Sequence, residues 1–275
     1  MDLYSFTTSP GYVDAHVHLR DAEGLVDAGT AGVVIVRDAG TKDGAGLRIS
    51  GPDKTAVISA GWALCKRGGY GSLFGVSLDS REQIAEEILR LKKAGAGMIK
   101  VIASGMVSLK RPGEITVGGF DRDELLFIVE TARKNGLEVM AHANGEAAIV
   151  NAAEAGVRSV EHGFFMTEQA LTSLHRNGVF WVPTVGALQR AADQPDVGHE
   201  TKLFVERTVD EHLALVRKAF ERGVPLAVGT DAVLPDRRYR SIYEAELTYF
   251  LRAGLPRDAV LTIACEGGKK LLEGK

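Results

Sequence analysis

The sequence predicts an α/β fold, a (β/α)8 TIM barrel, on three observations. Short apolar runs alternate with helical segments along most of the chain. Eight of these runs read as strands, and several are continuously apolar, as suits parallel strands covered on both faces. The length of 275 residues suits one such barrel, so a single domain over residues 1–275 is expected. An open doubly wound sheet is the competing architecture, and it is weakened by the lack of a GxGxxG after the first strand.

The first strand is expected within residues 11–20, after the Pro10-Gly11 turn signal, and a short helix within 21–32. A second strand follows at 32–38, a Gly-rich stretch with one helical turn at 39–50, and a third strand at 55–59. Residues 66–71 are glycine-dense without the GK[ST] ending of a phosphate loop, and read as an irregular crossover. The spacing of Ile84, Ile88 and Leu91 predicts a helix over 80–94, and Ser80 with Gln83 suggests a capping box. Strands are then expected at 98–102, 137–143, 157–161, 179–183 and 224–229. Helices are expected at 121–135, 146–155, 167–177, 201–222, 242–253 and 257–265.

Hydrophobic content of 45% and charged content of 25% are those of an ordinary globular protein. A formal charge of −3 gives no argument for nucleic acid or for an anionic membrane as partner. Residues 1–5 lack a basic and apolar leader pattern, and no apolar run is long enough to span a bilayer. The two cysteines, Cys65 and Cys265, read as buried fillers, and a reducing cytoplasm is the simplest setting. The expected partner is a small-molecule substrate; homo-oligomerisation is left open.

His16 and His18 occupy alternate positions of the first strand, so both imidazoles share a face. Two converging imidazoles make half of a transition-metal site, although an HxH also arises on polar strand faces. In a barrel, reactive groups gather at the C-terminal strand ends. His142 ends the fifth expected strand, His162 the sixth and Asp231 the eighth. Lys100 lies inside the apolar fourth strand, either snorkelling from its outer face or as a neutral amine that captures CO2 as a carbamate. His175, His199 and His212 fall in helices or a polar loop and are expected to be solvated.

As a set, His16, His18, Lys100, His142, His162 and Asp231 resemble the amidohydrolase superfamily in its binuclear, carboxylated-lysine form. The stretches Val36-Arg37-Asp38-Ala39-Gly40, Ile99-Lys100-Val101-Ile102-Ala103-Ser104-Gly105, Val160-Glu161-His162-Gly163 and Val182-Pro183-Thr184 look most like its prolidase and imidazolonepropionase-like branch. The resemblance implies a metal-dependent hydrolase that cleaves a C–N amide bond by attack of a metal-bridging hydroxide. Two divalent ions, expected as Zn2+, would be bridged by a CO2-derived carbamate on Lys100, with Asp231 as ligand and catalytic proton carrier. Ten residues before Gly11 leave no room for the branch's β-sandwich, so a barrel without it is expected. Gly68-Gly69-Tyr70 stands where the branch often has Gly-Gly-His, which makes Tyr70 a candidate substrate contact. His16-Val17-His18-Leu19-Arg20 also resembles the HxHxR of dihydroorotases, in which the arginine grips a carboxylate. A dihydroorotase-like cyclic amidase or a lactonase is therefore the alternative on the same centre, with Arg20 as substrate ligand. A non-catalytic binding or scaffold barrel is the alternative of another class. The loops at 104–119 and 233–240, with Lys110, Arg111, Arg237 and Arg238, are expected to set specificity.

Overall fold

In the computed structural model, which describes residues 11–50, 55–72 and 74–273, strands and helices alternate. The first third runs β1 (Tyr12–Leu19), α1 (Glu23–Thr30), β2 (Val33–Asp38), β3 (Ala56–Ser59), β4 (Ala63–Lys66) and β5 (Val76–Leu78). Next come α2 (Arg81–Lys93), β6 (Met98–Ile102), α3 (Arg122–Lys134), β7 (Glu138–Ala143), α4 (Glu146–Ala155) and β8 (Ser159–His162). The rest comprises α5 (Glu168–Asn177), β9 (Phe180–Val182), α6 (Val185–Ala192), α7 (His199–Glu221) and β10 (Ala232–Leu234). It ends with α8 (Tyr239–Arg252), α9 (Arg257–Thr262) and, after a π turn, α10 (Gly268–Leu272). Residues 1–5, read above for a leader, lie outside the described residues.

All named strands pair in parallel, in two sheets of order β10-β1-β2-β3 and β5-β4-β6-β7-β8-β9. Two joints bring the sheets into the expected (β/α)8 arrangement. β3 and β4 are halves of one bent strand: β3 pairs with β2, and beyond residues 60–62 β4 pairs with β6. At that bend Gly97 N donates to Ser59 O at 2.9 Å. At the other joint the eighth strand expected at 224–229 is not a regular strand, and β10 begins only at Ala232. Residues 224–229 instead thread between β9 and β1, with Trp181 N donating to Pro225 O (2.9 Å) and Ala15 N to Val228 O (2.8 Å). Pro225 has no N–H to give a ladder. Gly229 passes so close to β1 that a Cβ there would lie 2.9 Å from His16 Cβ and collide with Val182.

Four further elements differ from expectation, among them α10, which lies beyond the last expected helix. β4 and β5 flank the glycine-dense turn, and α6 follows β9 directly where no helix was expected. The helices at 80–94, 121–135, 146–155 and 167–177 form as their patterns require. Ser80 caps α2 by accepting from Gln83 N at 3.3 Å. Gln83 returns its bond to Asp79 N instead of Ser80 N, and the complete capping box is Asp121 with Glu124 on α3. The largest apolar cluster packs helices such as α2 and α3 onto the strands. No helix of the described residues is long and apolar enough to cross a membrane.

The 224–231 joint is fixed by one buried carboxylate. Asp14 accepts from His16 N (3.0 Å), Thr230 N (3.0 Å), Thr230 Oγ1 (2.6 Å) and Tyr239 Oη (2.8 Å). This ties β1, the residue before Asp231 and helix α8 together. Removing the phenol hydroxyl leaves a buried charged acceptor short of one donor, so Tyr239→Phe is expected to lower unfolding free energy by about 1.5–3 kcal/mol. Urea denaturation at neutral pH measures this, and an unchanged midpoint would show that the fourth bond is dispensable.

Candidate metal centre

The sequence-predicted ligands converge at the C-terminal rim of the strands. His16 and His18 leave β1 with ring centroids 5.5 Å apart, and Asp231 meets them from the joint. Asp231 Oδ1 lies 3.1 Å from His18 Nε2 and 3.4 Å from His16 Nε2, and its Oδ2 lies 3.9 Å from His162 Nδ1. Ligand atoms of His16, His18 and Asp231 all fall within 4.8 Å of one another. His142 and His162, on β7 and β8, stand outside that triplet but share the mouth. Their ring centroids are 4.6 Å apart, and His162 is 5.0 Å from His16. Lys100 on β6 is buried, not snorkelling from an outer face.

Each imidazole has one nitrogen held by a neighbour. His16 Nδ1 meets Glu161 Oε2 at 2.7 Å, and His18 Nδ1 meets Gly40 O at 2.6 Å. His142 Nε2 meets Gly105 O at 3.0 Å, and His162 Nδ1 meets Thr184 Oγ1 at 2.7 Å. A carboxylate oxygen accepts only, so the Glu161 contact puts the hydrogen of His16 on Nδ1 and leaves its Nε2 lone pair available, whereas His18 Nε2 also meets Asp231 and His142 Nε2 also meets Asn144 Nδ2 at 3.2 Å. Three buried side-chain atoms among the described residues have no hydrogen-bond partner, and two belong here: His16 Nε2 and Lys100 Nζ. An unpartnered imidazole lone pair beside a carboxylate is what a cation would satisfy. The donor set of imidazole nitrogen and carboxylate oxygen fits a borderline divalent ion such as Zn2+.

Burial dominates the protonation pattern. It lowers His16 to about 4 and His142 to about 3, and holds His162 well below the ordinary imidazole range, so all three are neutral bases at pH 7. Burial likewise brings Lys100 down to about 8 against the pull of Glu161 and Asp231. Asp231 is the opposite case: desolvation pushes it up, but the surrounding histidines together hold it well below the usual carboxylate range. His18 moves up, because its hydrogen bond to Asp231 and that residue's charge outweigh desolvation.

Backbone strain marks the same rim. His162 (φ 67°), Thr184 (φ 47°) and Asp231 (φ 52°) are in the left-handed region, an unfavourable state for these residues. Beside them a cavity of about 180 Å³ is lined by His142, His162 and Asp231 and by Met106, Val107, Leu109 and Leu188. A second cavity of about 550 Å³ holds His18, Arg20, Lys42 and Phe74, and Tyr70 borders both. The 104–119 loop thus lines the mouth, folded as a small hairpin through the Val107–Ile115 bridge. Of the cationic loop residues, Arg111 pairs with Glu114 and Arg238 with Asp236.

Sequence reading missed the groups behind the ligands. Arg37, Ser159 and Glu161 lie buried under His16, Asn144 braces the His142 turn, and Glu246 accepts from Val185 N and Gly186 N behind Thr184. His212 is also corrected: it is buried, stacked on Phe164 at 4.4 Å, with Nε2 3.4 Å from Pro183 O. Its helix turns that face toward β9 and not toward solvent.

Parallel strands that bring imidazoles and an aspartate to their C-terminal rim define a TIM-barrel-type protein with a candidate metal centre. The chain belongs to the amidohydrolase family, whose model matches residues 7–273. Ochratoxinase of Aspergillus niger is 28% identical over 210 residues, 66% of this chain and 43% of that protein. The chain therefore spans less than half the length of that curated relative. An uncharacterized protein of Mycobacterium tuberculosis is 26% identical over 96% of this chain and 74% of its own length. Among solved structures, a Xaa-Pro dipeptidase with bound methionine superposes with a TM-score of 0.79 at 23% identity, covering 96% of this chain and 75% of that one. The likeness to the dipeptidase is one of fold.

Burial lowers His212 to about 4 from an ordinary 6.5, so between those values the unfolded chain binds the extra proton. Its stabilising contribution is therefore complete above pH 6.5 and is lost as pH falls toward 4. Substituting His212→Gln removes this titration. The unfolding free-energy advantage of wild type over the variant is expected to shrink on acidification, by up to about 1.4 kcal/mol per pH unit. Urea melts across the pH series test this, and a pH-independent difference would refute it.

Proposed function

We propose that this chain is a metal-dependent amidohydrolase that cleaves a carbon–nitrogen bond in a dipeptide, an N-acyl amino acid or a cyclic amide. The carrying observation is the convergence of His16, His18 and Asp231 beside the unpartnered Lys100 Nζ. Membership of the amidohydrolase family supports the reaction class, as does the likeness to ochratoxinase.

His16, His18 and Asp231 would hold one divalent ion, and His142 with His162 would hold a second. Lys100 lies between the two sets in the amino-acid ligand pattern. Its lowered proton affinity favours the neutral amine that reacts with CO2, and a carbamate turns an unpaired buried cation into an anion among imidazoles. When bound, Zn2+ supplies an acidified water and a Lewis acid for the scissile carbonyl. Asp231 Oδ1 faces the two β1 histidines, while Oδ2 lies toward His162. Asp231 takes the proton of the attacking water and returns it to the leaving nitrogen. Met106, Val107, Leu109 and Leu188 seat an apolar substituent next to the scissile bond and keep bulk water from it. Arg20 and Tyr70 contact the part of the substrate that enters the larger cavity, where a carboxylate suits the guanidinium.

Zn2+-loaded protein is expected to hydrolyse N-acyl amino acids or dipeptides with an apolar side chain faster than charged analogues. Asp231→Asn is expected to retain the fold and lose at least about a hundredfold in turnover, the usual scale of acid–base catalysis. Near-wild-type turnover in that variant would remove Asp231 from the proton path. Lack of hydrolysis across dipeptides, N-acyl amino acids, hydantoins, dihydroorotate and lactones would favour a binding barrel.

Metal analysis of protein prepared without chelator is expected to find two divalent ions per chain. Lys100→Ala is expected to release at least one of them and to abolish any dependence of reconstitution on bicarbonate. A variant that still binds both ions would exclude Lys100 as a ligand.

A further inference from the structure

We propose that Glu161 and Arg37 form a tautomer lock on His16: they are positioning residues that decide whether its Nε2 offers a lone pair or a hydrogen to a cation. This inference rests on the metal reading above and adds two residues to it.

Arg37 leaves β2 and crosses the barrel interior to β8. Its Nε donates to Ala15 O (2.6 Å), one terminal nitrogen to Ser159 Oγ (2.9 Å) and the other to Glu161 Oε1 (2.6 Å). Ser159 Oγ also donates to Glu161 Oε1. That oxygen is thereby filled by donors, and Oε2 is left 2.7 Å from His16 Nδ1. An ionised carboxylate accepts only, so Nδ1 must carry the hydrogen and Nε2 the lone pair. Arg37, Glu161 and His16 are buried, so water does not compete for these bonds. Glu161 and His16 belong to strands β8 and β1, so the lock spans the barrel. Apart from Asp231 in the mouth itself, the other three histidines meet neutral oxygens, Gly40 O, Gly105 O and Thr184 Oγ1. Glu161 alone places a carboxylate behind an imidazole.

Substituting Glu161→Gln keeps size and removes charge, and Arg37 then sets the orientation of the amide. A guanidinium has no acceptor, so the new amide must turn its carbonyl oxygen toward Arg37 and its NH2 toward His16. His16 Nδ1 then becomes the acceptor, the hydrogen moves to Nε2, and the lone pair is withdrawn from the cation site. The double variant Arg37→Met with Glu161→Gln frees the amide to rotate and accept from Nδ1 again. It also removes both charges together, so no lone buried ion remains.

Zn2+ affinity measured by competition with a chromogenic chelator tests the lock. Glu161→Gln is expected to bind roughly 10- to 100-fold more weakly than wild type, the scale of losses from such supporting groups. The double variant is expected to recover most of that loss, which general damage to the fold would not do. Wild-type affinity in Glu161→Gln, or no recovery in the double variant, would overturn the proposal. Long-range 1H–15N spectra of metal-free wild type read the tautomer directly and need no variant to fold. A hydrogen on His16 Nδ1 is expected, and one on Nε2 would overturn the proposal. Wild-type protein that takes up no Zn2+ would instead overturn the metal reading itself, and this inference with it.

Discussion

The buried Arg37–Glu161 pair sets the electrostatic terms for the whole rim. Either charge alone inside a barrel costs several kcal/mol, and even as a pair they are a weak source of stability, since apolar fillers often do as well. What the pair provides is direction. Arg37 directs its donors to Ala15, Ser159 and Glu161, which ties β1, β2 and β8 together below the site. Its charge, with the bond from His16, overrides the desolvation of Glu161 and holds that carboxyl at about 2. With those charges matched, Lys100 and Asp231 face His16, His142 and His162, which burial keeps neutral.

Similar support recurs around the rim, each time from a buried polar group on a different element. Asp38 accepts from Leu19 N (2.9 Å) and Gly40 N (3.0 Å), and so fixes the carbonyl on which His18 rests. Asn144 bonds Gly105 O and Phe164 N, joining the turns after β6 and β8 around His142. Glu246 caps the turn at Thr184, which in turn holds His162. Asp14 does the same for residue 230, next to Asp231. These bonds explain how left-handed backbone persists at His162, Thr184 and Asp231, where each residue costs about 1–3 kcal/mol. Buried hydrogen bonds on either side of such a turn offset the cost of its backbone conformation.

The candidate ligands were legible from local pattern, whereas their supports were not. His16 and His18 follow from strand alternation, and His142, His162 and Asp231 from their places at the ends of apolar runs. Arg37 and Glu161 lie in equally visible runs, but nothing local says that they meet, because their partners are over a hundred positions apart. The segment at 224–229 has strand composition, yet Pro225 and the close passage of Gly229 keep it from a regular ladder. β4 is hidden by its polar end at Lys66 and the glycines after it. His212 sits in a helix whose charged neighbours suggest solvent, and only the packing of α7 on Phe164 and Trp181 shows that this face is inward.

Geometry at the mouth also limits what a substrate can be. Tyr70 divides it: on one side apolar residues of the 104–119 hairpin and α6 crowd His142 and His162, on the other His18 opens toward Arg20 and Lys42. Asp231 stands at the divide, touching the β1 histidines with one oxygen and lying toward His162 with the other. A molecule that fills both sides must pass its reactive bond over that carboxylate. On the proposed function, an amide linking an apolar group to an acidic one meets this condition end to end. The cavity of about 180 Å³ on the apolar side has room for a side chain, so under that proposal the hairpin would select beside the carboxylate that moves the proton.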